Sequence, residues 1–337
     1  MYRLRRMSVE YQKSRASQGS LLSHLSWLRW ALLALVLLAL ALLPQVADPY
    51  TIALVYTMFI YVALAQSWNL VGGYTGLISL GHAAFFGLGA YTTAILMTWA
   101  NVDFYPAILA SGLVASIFAV IISFPIFRFR GIYFAIGTLV LSEALRIWMI
   151  NWSLTGGAQG INLPIANTPD PISFYYVGFA LAIIATGVLV LVLHSKPGFG
   201  LRAIRDNEDA AQNMGVNTFM VKLTAFAISA CIAGLAGGIY AAYLGTIEPY
   251  SIFSVDWTIT AINTVIIGGM GTLIGPIIGT IFTTALSEGL KNYQTIHLII
   301  TGVILILVIR FLPAGIWGQL RNWLRLPGST AREARKV

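Results

Sequence analysis

The stretch that decides the fold runs from Thr218 to Leu244 and reads TFMVKLTAFAISACIAGLAGGIYAAYL, with a single charged side chain. A run of this length and polarity can cross the hydrocarbon core of a bilayer as a helix. Similar runs recur along the 337-residue chain, which is 58% hydrophobic and 9% charged and has a mean hydropathy of +0.81. Because a soluble domain could not bury so much apolar surface, the sequence predicts an all-α integral membrane protein.

The apolar windows predict about ten transmembrane helices. Short polar or Gly/Pro-rich stretches separate the windows, as expected for connections between crossings. The eighth and ninth windows are short and also fit one broken helix. The windows lie at residues 28–43, 50–71, 76–98, 105–127, 132–151, 174–193, 218–244, 257–270, 272–288 and 294–312.

The basic residues predict the orientation of these helices. The 20 Lys and Arg residues give a formal net charge of +8, and most of them flank apolar segments, which argues against a nucleic-acid surface. If the basic N-terminal tail is cytoplasmic, ten crossings bring Arg128, Arg130, Lys196, Arg202 and Arg205 to the same side, together with the basic C-terminal tail. Both termini are therefore expected in the cytoplasm.

The predicted organisation has one transmembrane domain between two tails. Residues 1–27 form a basic cytoplasmic tail, residues 28–312 form the transmembrane domain, which includes a cytoplasmic segment at 194–217, and residues 313–337 form a second basic cytoplasmic tail. Ten crossings divide into two groups of five, and an odd number per half permits two inverted five-helix repeats. The third helix of each half is interrupted by glycine in this scheme.

Glycines mark those interruptions. Gly271, Gly275 and Gly279 recur at four-residue spacing, which favours close helix packing. Their position beside Pro276 also fits a helix break that exposes backbone polar groups to a translocation cavity. Both interpretations stay open from the residues alone.

Three ionisable residues inside apolar windows have structural explanations. Glu143 and Arg146 are three residues apart on one predicted helix face, so they are expected to form an intramembrane ion pair. His82 lies among Ala, Gly and Phe and is expected to be a hydrogen-bonded packing residue. The single cysteine, Cys231, excludes an intrachain disulfide and a cysteine cluster for metal, and we expect no metal site.

The segment from His194 to Asn217 predicts a short helix on the membrane surface. Asp206 is expected to cap it, Glu208 and Asp209 fall in its first turn, and Gly215 can end it. Ala210, Ala211 and Met214 are expected to form its apolar side. The residues alone leave open whether it is an ordinary interfacial helix or a rigid knob that fits a cytoplasmic partner.

Several enzyme motifs are missing from the sequence. It contains no GxxxxGK[ST] phosphate loop, no HExxH and no GxSxG, and no Asp-rich span that suggests an ion relay. The chain is therefore predicted not to be an enzyme and to have no catalytic residues. Uphill transport would need energy from another subunit or from an ion site that the sequence does not show.

Six separated stretches of the chain resemble the permease subunits of bacterial branched-chain amino acid ABC transporters, specifically the LivM type. The resemblance covers about residues 50–312 in consistent order. The stretches are Ser67 to Tyr91, Gly131 to Glu143, Thr155 to Ile161, Gly200 to Gly215, Ala233 to Pro249 and Val265 to Pro276.

This resemblance implies a multi-subunit importer in the bacterial inner membrane. It implies a second, paralogous permease, two cytoplasmic ATP-binding subunits and a periplasmic solute-binding protein as partners, besides the lipid bilayer. No cofactor is expected on this chain, because ATP and magnesium would be bound by partner subunits. The family's coupling segment to the ATPase matches Arg202, Arg205, Asp206, Glu208, Asp209 and Gly215.

The translocation pathway and its helix breaks are expected near the glycine-rich windows and the fifth helix. The candidate residues are Gly76, Ser79, His82, Phe86, Gly89, Thr138, Ser142, Gly268, Gly271 and Gly275.

Three rival functions remain from the sequence. A permease for urea or short amides would share the glycine-rich pattern and the coupling segment. A stand-alone ion-driven carrier would need an intramembrane charged site, for which Glu143 beside Arg146 is a poor candidate. An intramembrane enzyme is the least favoured alternative.

Overall fold

The computed structural model describes residues 31–32, 34–164, 168–291, 294–312 and 314–324. The predicted N-terminal tail and most of the predicted C-terminal tail lie outside these residues. The chain divides into two compact units, one ending at Ala53 and one starting at Leu54. In the first unit, an apolar helix α1 spans Ala34–Gln45.

The second unit is mostly helical, and it begins within α2. Its π-helical continuation at Asn69–Gly73 follows α2 directly, and 3-10 turns at Ser153–Thr155 and Gly157–Gln159 precede the first strand. The helices and strands in chain order are α2 Pro49–Trp68, α3 His82–Thr98, α4 Phe104–Ile126, α5 Ile132–Asn151, β1 Ile161–Asn162, α6 Pro171–His194, α7 Lys196–Asp206, α8 Glu208–Asn213, α9 Thr218–Leu244, β2 Thr246–Ile247, α10 Pro249–Ile252, α11 Val255–Gly268, α12 Gly275–Gly289, α13 Gln294–Phe311 and α14 Gly315–Leu324.

Within the described residues, six helical segments are long and apolar enough to cross a membrane. They make this a multi-pass membrane protein, but the ten-helix count and the inverted repeat are not confirmed, because several predicted crossings form shorter helices such as α3, with 17 residues. The six segments are Pro49–Gly73, Phe104–Ile126, Ile132–Asn151, Pro171–His194, Thr218–Leu244 and Pro249–Gly268.

An exposed apolar stripe on α4 shows what surrounds these helices. Leu109, Leu113, Ile117 and Ile121 recur every four residues and are 51% to 71% exposed. Side chains four apart share one helix face. A continuous face of large aliphatic groups would be costly in water and suits contact with lipid.

Helix α9 packs most closely against α3 and α4, through glycines. A Cβ built at Gly89 of α3 would collide with the backbone of Gly234 in α9, and one at Gly237 would collide with the carbonyl oxygen of Phe86. The Ser111 hydroxyl of α4 donates a hydrogen bond to the Gly234 carbonyl at 3.1 Å. Small residues thus let three backbones approach closely.

The two ends of α9 meet different structures. Its N-terminal end follows α8, and its C-terminal end leads into β2. Strand β2 pairs antiparallel with β1, with Ile161 opposite Ile247, and the Leu163 amide donates to the Gly245 carbonyl at 2.8 Å. The described part of the loop at 151–173 is therefore folded against the C-terminal end of α9.

Candidate coupling and translocation sites

The predicted coupling segment folds as two short helices, α7 and α8. Asp206 was expected to cap a helix, and this is wrong: Asp206 ends α7, and Asn207 caps α8 by accepting a hydrogen bond from the Ala210 amide at 2.9 Å. The cap shifts because the backbone of Asn207 is extended between the two helices. Gly215 follows α8 with a φ of 88°, a conformation that favours glycine.

A buried cluster fixes α7 to three other segments. Leu201 of α7 is fully buried, and the cluster joins it to the π-helical continuation of α2, the end of α6 and the first half of α9. These aliphatic contacts make α7 part of the helix bundle. The buried members are Leu70, Tyr74, Leu189, Leu193, Leu201 and Ala225.

An ion pair fixes α8 to α9. The Glu208 carboxylate pairs with the Lys222 ammonium group, and the two side chains are 27% and 7% exposed. The Lys222 nitrogen also lies 5.8 Å from the ring centroid of Phe127, at the end of α4. Because a buried ammonium group is costly without a partner, loss of Glu208 would destabilise the contact between α8 and the first turns of α9.

A second, exposed ion pair links α8 to the loop between α4 and α5. Arg130 lies 3.3 Å from Asp209, and both side chains are about 70% exposed. Solvent screens such a pair, so it contributes little to stability. Glu208 and Asp209, both predicted to contact a partner ATPase, thus also pair within the chain.

The outer face of the coupling segment is exposed. Arg202, Arg205, Asp206 and Gly215 all lie at the surface. Met214 was expected on the apolar side of the helix beside Ala211, and this is wrong: Ala211 is 1% exposed and Met214 is 76% exposed. The helix is too short for position 214 to return to the buried face, so Met214 points away from the bundle.

Arg205 contacts two interruptions of the helices, here called helix breaks. The first follows α2 and includes Gly76, and the second lies between α11 and α12 and includes Gly271. A Cβ built at Gly271 would collide with the Arg205 guanidinium, and one at Gly76 would lie 3.6 Å from Arg205 Cγ. Burial raises the pKa of the nearby Tyr74 phenol to about 12, while Arg202 and Arg205 act in the opposite direction. The coupling segment therefore contacts both breaks through one side chain.

The first break follows α2 and the second separates α11 from α12. Asn69 joins them: its side-chain oxygen accepts from the Gly271 amide, and its nitrogen donates to the Thr272 carbonyl, both at 2.9 Å. Gln66 donates to the Leu273 carbonyl at 2.8 Å. The Gly271 amide and the carbonyls of Thr272 and Leu273 are thus satisfied by buried side chains of α2 and its π-helical continuation.

The glycines near the second break serve two purposes. Gly271 lies in the break itself with a φ of 74°. A Cβ at Gly275 would collide with the Gly269 carbonyl, one at Gly268 with the Gly275 carbonyl, and one at Gly279 with the Thr264 carbonyl. Gly271 therefore belongs to a break, and the other three glycines allow α11 and α12 to pack closely. The opening of this break to a translocation cavity stays a prediction.

Buried hydrogen bonds hold the loop before α3. His82 Nε2 lies 2.9 Å from the Ser229 hydroxyl of α9, and that hydroxyl donates to the Ser67 carbonyl at 2.7 Å. The Ser79 carbonyl accepts from Trp68 Nε1 at 2.8 Å, and Thr138 Oγ1 accepts from the Leu80 amide at 3.0 Å. His82 is thus a hydrogen-bonded packing residue.

Other candidate pathway residues lie at helix contacts. Phe86 stacks on Trp257, with ring centroids 4.3 Å apart. Ser142 of α5 is buried, and its hydroxyl has no partner among the described residues.

Arg146 Nε donates to Glu143 Oε2 at 2.9 Å, so the expected ion pair is present. Across the described residues, no three His, Cys, Asp or Glu side chains are grouped as metal ligands.

Comparison with known proteins assigns this architecture to a family. Residues 50–309 match the family model described as branched-chain amino acid transport system / permease component. The chain belongs to this family. The match contains all of the residues that form the coupling segment, both helix breaks and α9.

The relatives of this permease are transport proteins. It is 30% identical to the high-affinity branched-chain amino acid permease LivM of Escherichia coli over 86% of this chain and 75% of that protein. It is 25% identical to the high-affinity branched-chain amino acid permease LivH of E. coli over 77% of this chain and 91% of that protein. The autoinducer 2 import permease LsrC of Yersinia enterocolitica is 27% identical over 65% of this chain and 59% of that protein. No solved structure matches.

Sequence reasoning missed three residues that hold the permease together. Gln66 and Asn69 are polar residues at the end of an otherwise apolar window, and Lys222 is the one charge in the seventh window. Each was a detectable signal, because a polar side chain in an apolar helix needs a partner. Their partners, Glu208 and the carbonyls at 272 and 273, could not be read from spacing.

Proposed function

We propose that this permease is a membrane-spanning subunit of an ATP-driven importer of branched-chain amino acids, and that it forms the translocation pathway with a second permease. One observation carries the proposal. Helices α7 and α8 are fixed to α2, α6 and α9 by the Leu201 cluster and the Glu208–Lys222 pair. A force applied to this exposed segment would therefore reach several helices of the bundle.

The partners follow from this arrangement and from the family. Two cytoplasmic ATP-binding subunits would dock on α7 and α8 and would bind ATP and magnesium, while this chain binds no cofactor. A periplasmic solute-binding protein would deliver the substrate. The relatives named LivM and LivH support a pair of unlike permeases.

Contacts between the segments that connect successive helices support a topology of ten crossings of the inner membrane with both termini in the cytoplasm. In that topology, Arg130, Asp209 and the two helix breaks lie on the cytoplasmic side, in agreement with the Arg130–Asp209 pair and the contact of Gly73 with Gly271. The strand pair of β1 with β2 would lie outside. Each of these contacts joins connections that the ten-crossing topology puts on the same side.

The transport cycle uses these contacts. When the ATP-binding subunits close, α7 and α8 move with them, and Glu208 transmits the displacement to Lys222 in α9. Arg205 transmits it to the breaks at Gly76 and Gly271. The breaks change the packing of α2, α11 and α12, and the pathway shared with the second permease switches between outward and inward access.

Docking of the ATP-binding subunits is tested at Met214. In the reconstituted complex, Met214→Glu should abolish copurification of the ATP-binding subunits and substrate-stimulated ATP hydrolysis, because it adds a charge to an exposed apolar contact. Met214→Leu preserves apolar volume and should retain both. Normal hydrolysis by Met214→Glu contradicts the docking assignment.

Substrate class and sidedness need separate measurements. Uptake of leucine, isoleucine and valine, with urea and acetamide as competitors, distinguishes the proposed importer from a permease for urea or short amides.

In a Cys231→Ala background, Gln159→Cys should react with an impermeant maleimide from outside and Gln212→Cys from the cytoplasm. Reversed labelling contradicts the orientation.

A further inference from the structure

A cavity of about 500 Å³ lies near the C-terminal end of α9. Its lining includes four aromatic rings, those of Tyr61, Tyr240, Tyr250 and Trp257, and two carboxylates, Glu248 and Asp256. Binding pockets for small molecules have volumes of roughly 300 to 1,000 Å³. The cavity is thus large enough for a single amino acid.

The aromatic wall of the cavity is held in place by neighbouring residues. Trp257 stacks on Phe86, its ring centroid lies 4.7 Å from that of Tyr240, and its Nε1 donates to the Ser251 carbonyl at 3.0 Å. Tyr61 approaches Trp257 with a centroid distance of 6.1 Å. The wall is therefore formed before any ligand arrives.

The charge of the lining is negative. The described residues that line the cavity include two carboxylates and no Lys, Arg or His. Asp256 Oδ2 accepts a hydrogen bond from the Ser254 hydroxyl at 2.8 Å. No hydrogen bond or ion pair joins the Glu248 side chain to another described residue, so this carboxylate has its full capacity to accept from a ligand.

A cation already contacts one ring of this wall. The guanidinium carbon of Arg146 lies 5.1 Å from the ring centroid of Tyr250. Arg146 is itself paired with Glu143 at 2.9 Å and does not belong to the described lining. Carboxylates beside electron-rich ring faces are the chemistry that recognises an ammonium group.

We propose that this cavity binds the α-ammonium group of an amino acid substrate at Glu248 and Asp256, with the aliphatic side chain packed against Trp257 and Tyr240. The inference rests on the proposed import function, which puts the cavity on the outer side, where the solute-binding protein releases its substrate. Phe86, behind Trp257, joins the cavity to the α3–α9 contact. A ligand that lacks the ammonium group loses the charged contacts.

Protection of a cysteine tests this site in the whole complex without the solute-binding protein. Ser251→Cys, in the Cys231→Ala background, places a thiol in the lining, and mass spectrometry of this chain measures its reaction with a maleimide. L-Leucine and 3-methylbutylamine, which carry an ammonium group, should slow the reaction at least about fivefold. 4-Methylpentanoate, which lacks it, should not.

Charge variants sharpen the test. Glu248→Gln should raise the half-protecting leucine concentration about tenfold, as expected for loss of one hydrogen bond to a charged group. Asp256→Asn serves as a second variant if the first reduces expression. Asp103→Asn removes an exposed carboxylate outside the cavity and should leave protection unchanged.

The outcomes separate this inference from the proposed function. Equal protection by 4-methylpentanoate, no protection by any ligand, or protection unaffected in both cavity variants would overturn the site. Leucine uptake by the same complex with its solute-binding protein is measured in parallel. Uptake without protection rejects the cavity but retains the import function, whereas protection by leucine without uptake retains the cavity and rejects import.

Discussion

The two ends of α9 are built from different chemistry. At the N-terminal end, charges and polar groups are paired: Glu208 with Lys222, Asp209 with Arg130, and Asn69 with the second helix break. At the C-terminal end, the Glu248 carboxylate faces a cavity walled by aromatic rings and pairs with no described residue.

This contrast indicates a division of labour along one helix. In the proposed transport cycle, the largely buried pair of Glu208 with Lys222 passes a displacement of α8 to α9 at the N-terminal end. The Glu248 carboxylate, which pairs with no described residue, can accept a ligand in the cavity without breaking a hydrogen bond to that part of the chain.

Removing the charge of Glu208 should give the largest effect. Glu208→Gln leaves the Lys222 ammonium group buried without its partner, which we expect to cost about 3 kcal/mol of stability and to abolish substrate-stimulated ATP hydrolysis. The exchange of Glu208→Lys with Lys222→Glu should restore much of both. Thermal unfolding and ATP hydrolysis of the reconstituted complex measure the two effects. If Glu208→Gln changes neither the stability nor the ATP hydrolysis, the proposed difference between the two ends of α9 is wrong.

Removing the side chain of Asn69 should have the next largest effect. Asn69→Ala deletes two hydrogen bonds to the second break and leaves backbone groups at Gly271 and Thr272 unsatisfied, at a cost of about 2 kcal/mol. Asn69→Asp keeps an acceptor for the Gly271 amide, and we expect an intermediate loss. Melting temperature and leucine uptake should fall together. If neither falls, the break is not held by α2.

A side chain at Gly271 should have a smaller effect. Gly271 has a φ of 74°, which an alanine adopts only with strain. Gly271→Ala also directs a methyl group towards the Arg205 guanidinium, which can move. We therefore expect a loss of about 1 kcal/mol of stability. Gly187, inside α6, has nothing within 4 Å of a built Cβ. Gly187→Ala should therefore be neutral or slightly stabilising by melting temperature. Equal behaviour of the two variants would contradict the assigned geometry.

Breaking the exposed pair should have the smallest effect. Arg130→Ala removes an ion pair whose two side chains are about 70% exposed, so stability should change by less than about 0.5 kcal/mol. ATP hydrolysis should stay within twofold of the unsubstituted complex. A loss comparable with that of Glu208→Gln would show that exposed pairing also transmits force.

The sequence alone predicted the membrane architecture well. Apolar windows such as 105–127 and 218–244 coincide with α4 and α9, because window length and composition directly reflect the bilayer. It also predicted the Glu143–Arg146 pair, because the two residues are neighbours on one helix face. The packing role of His82 was predicted from its apolar neighbours in sequence, but its partner, Ser229 of α9, was not. The number of crossings was harder to predict, because the helices α3 and α12 have only 17 and 15 residues and are not among the six segments that are long and apolar enough to cross a membrane.

The site was less predictable where contacts join distant segments. Asn207 caps α8 in place of Asp206 because the backbone of Asn207 is extended between α7 and α8. The exposure of Met214 depends on where α8 stops. Lys222 and Glu208 are 14 positions apart, and only the folded loop brings them together. The outer cavity combines residues from α2, α9 and α11, which no local pattern connects.

Cross-linking from Met214 tests the central claim most directly. In the Cys231→Ala background, Met214→Cys would be joined to neighbouring lysines by a short maleimide-succinimide linker in the active complex. We expect a product that contains this chain and an ATP-binding subunit, while Ser251→Cys at the other end of α9 gives none. A complex that transports leucine with ATP yet yields no such product from position 214 would contradict docking at α7 and α8.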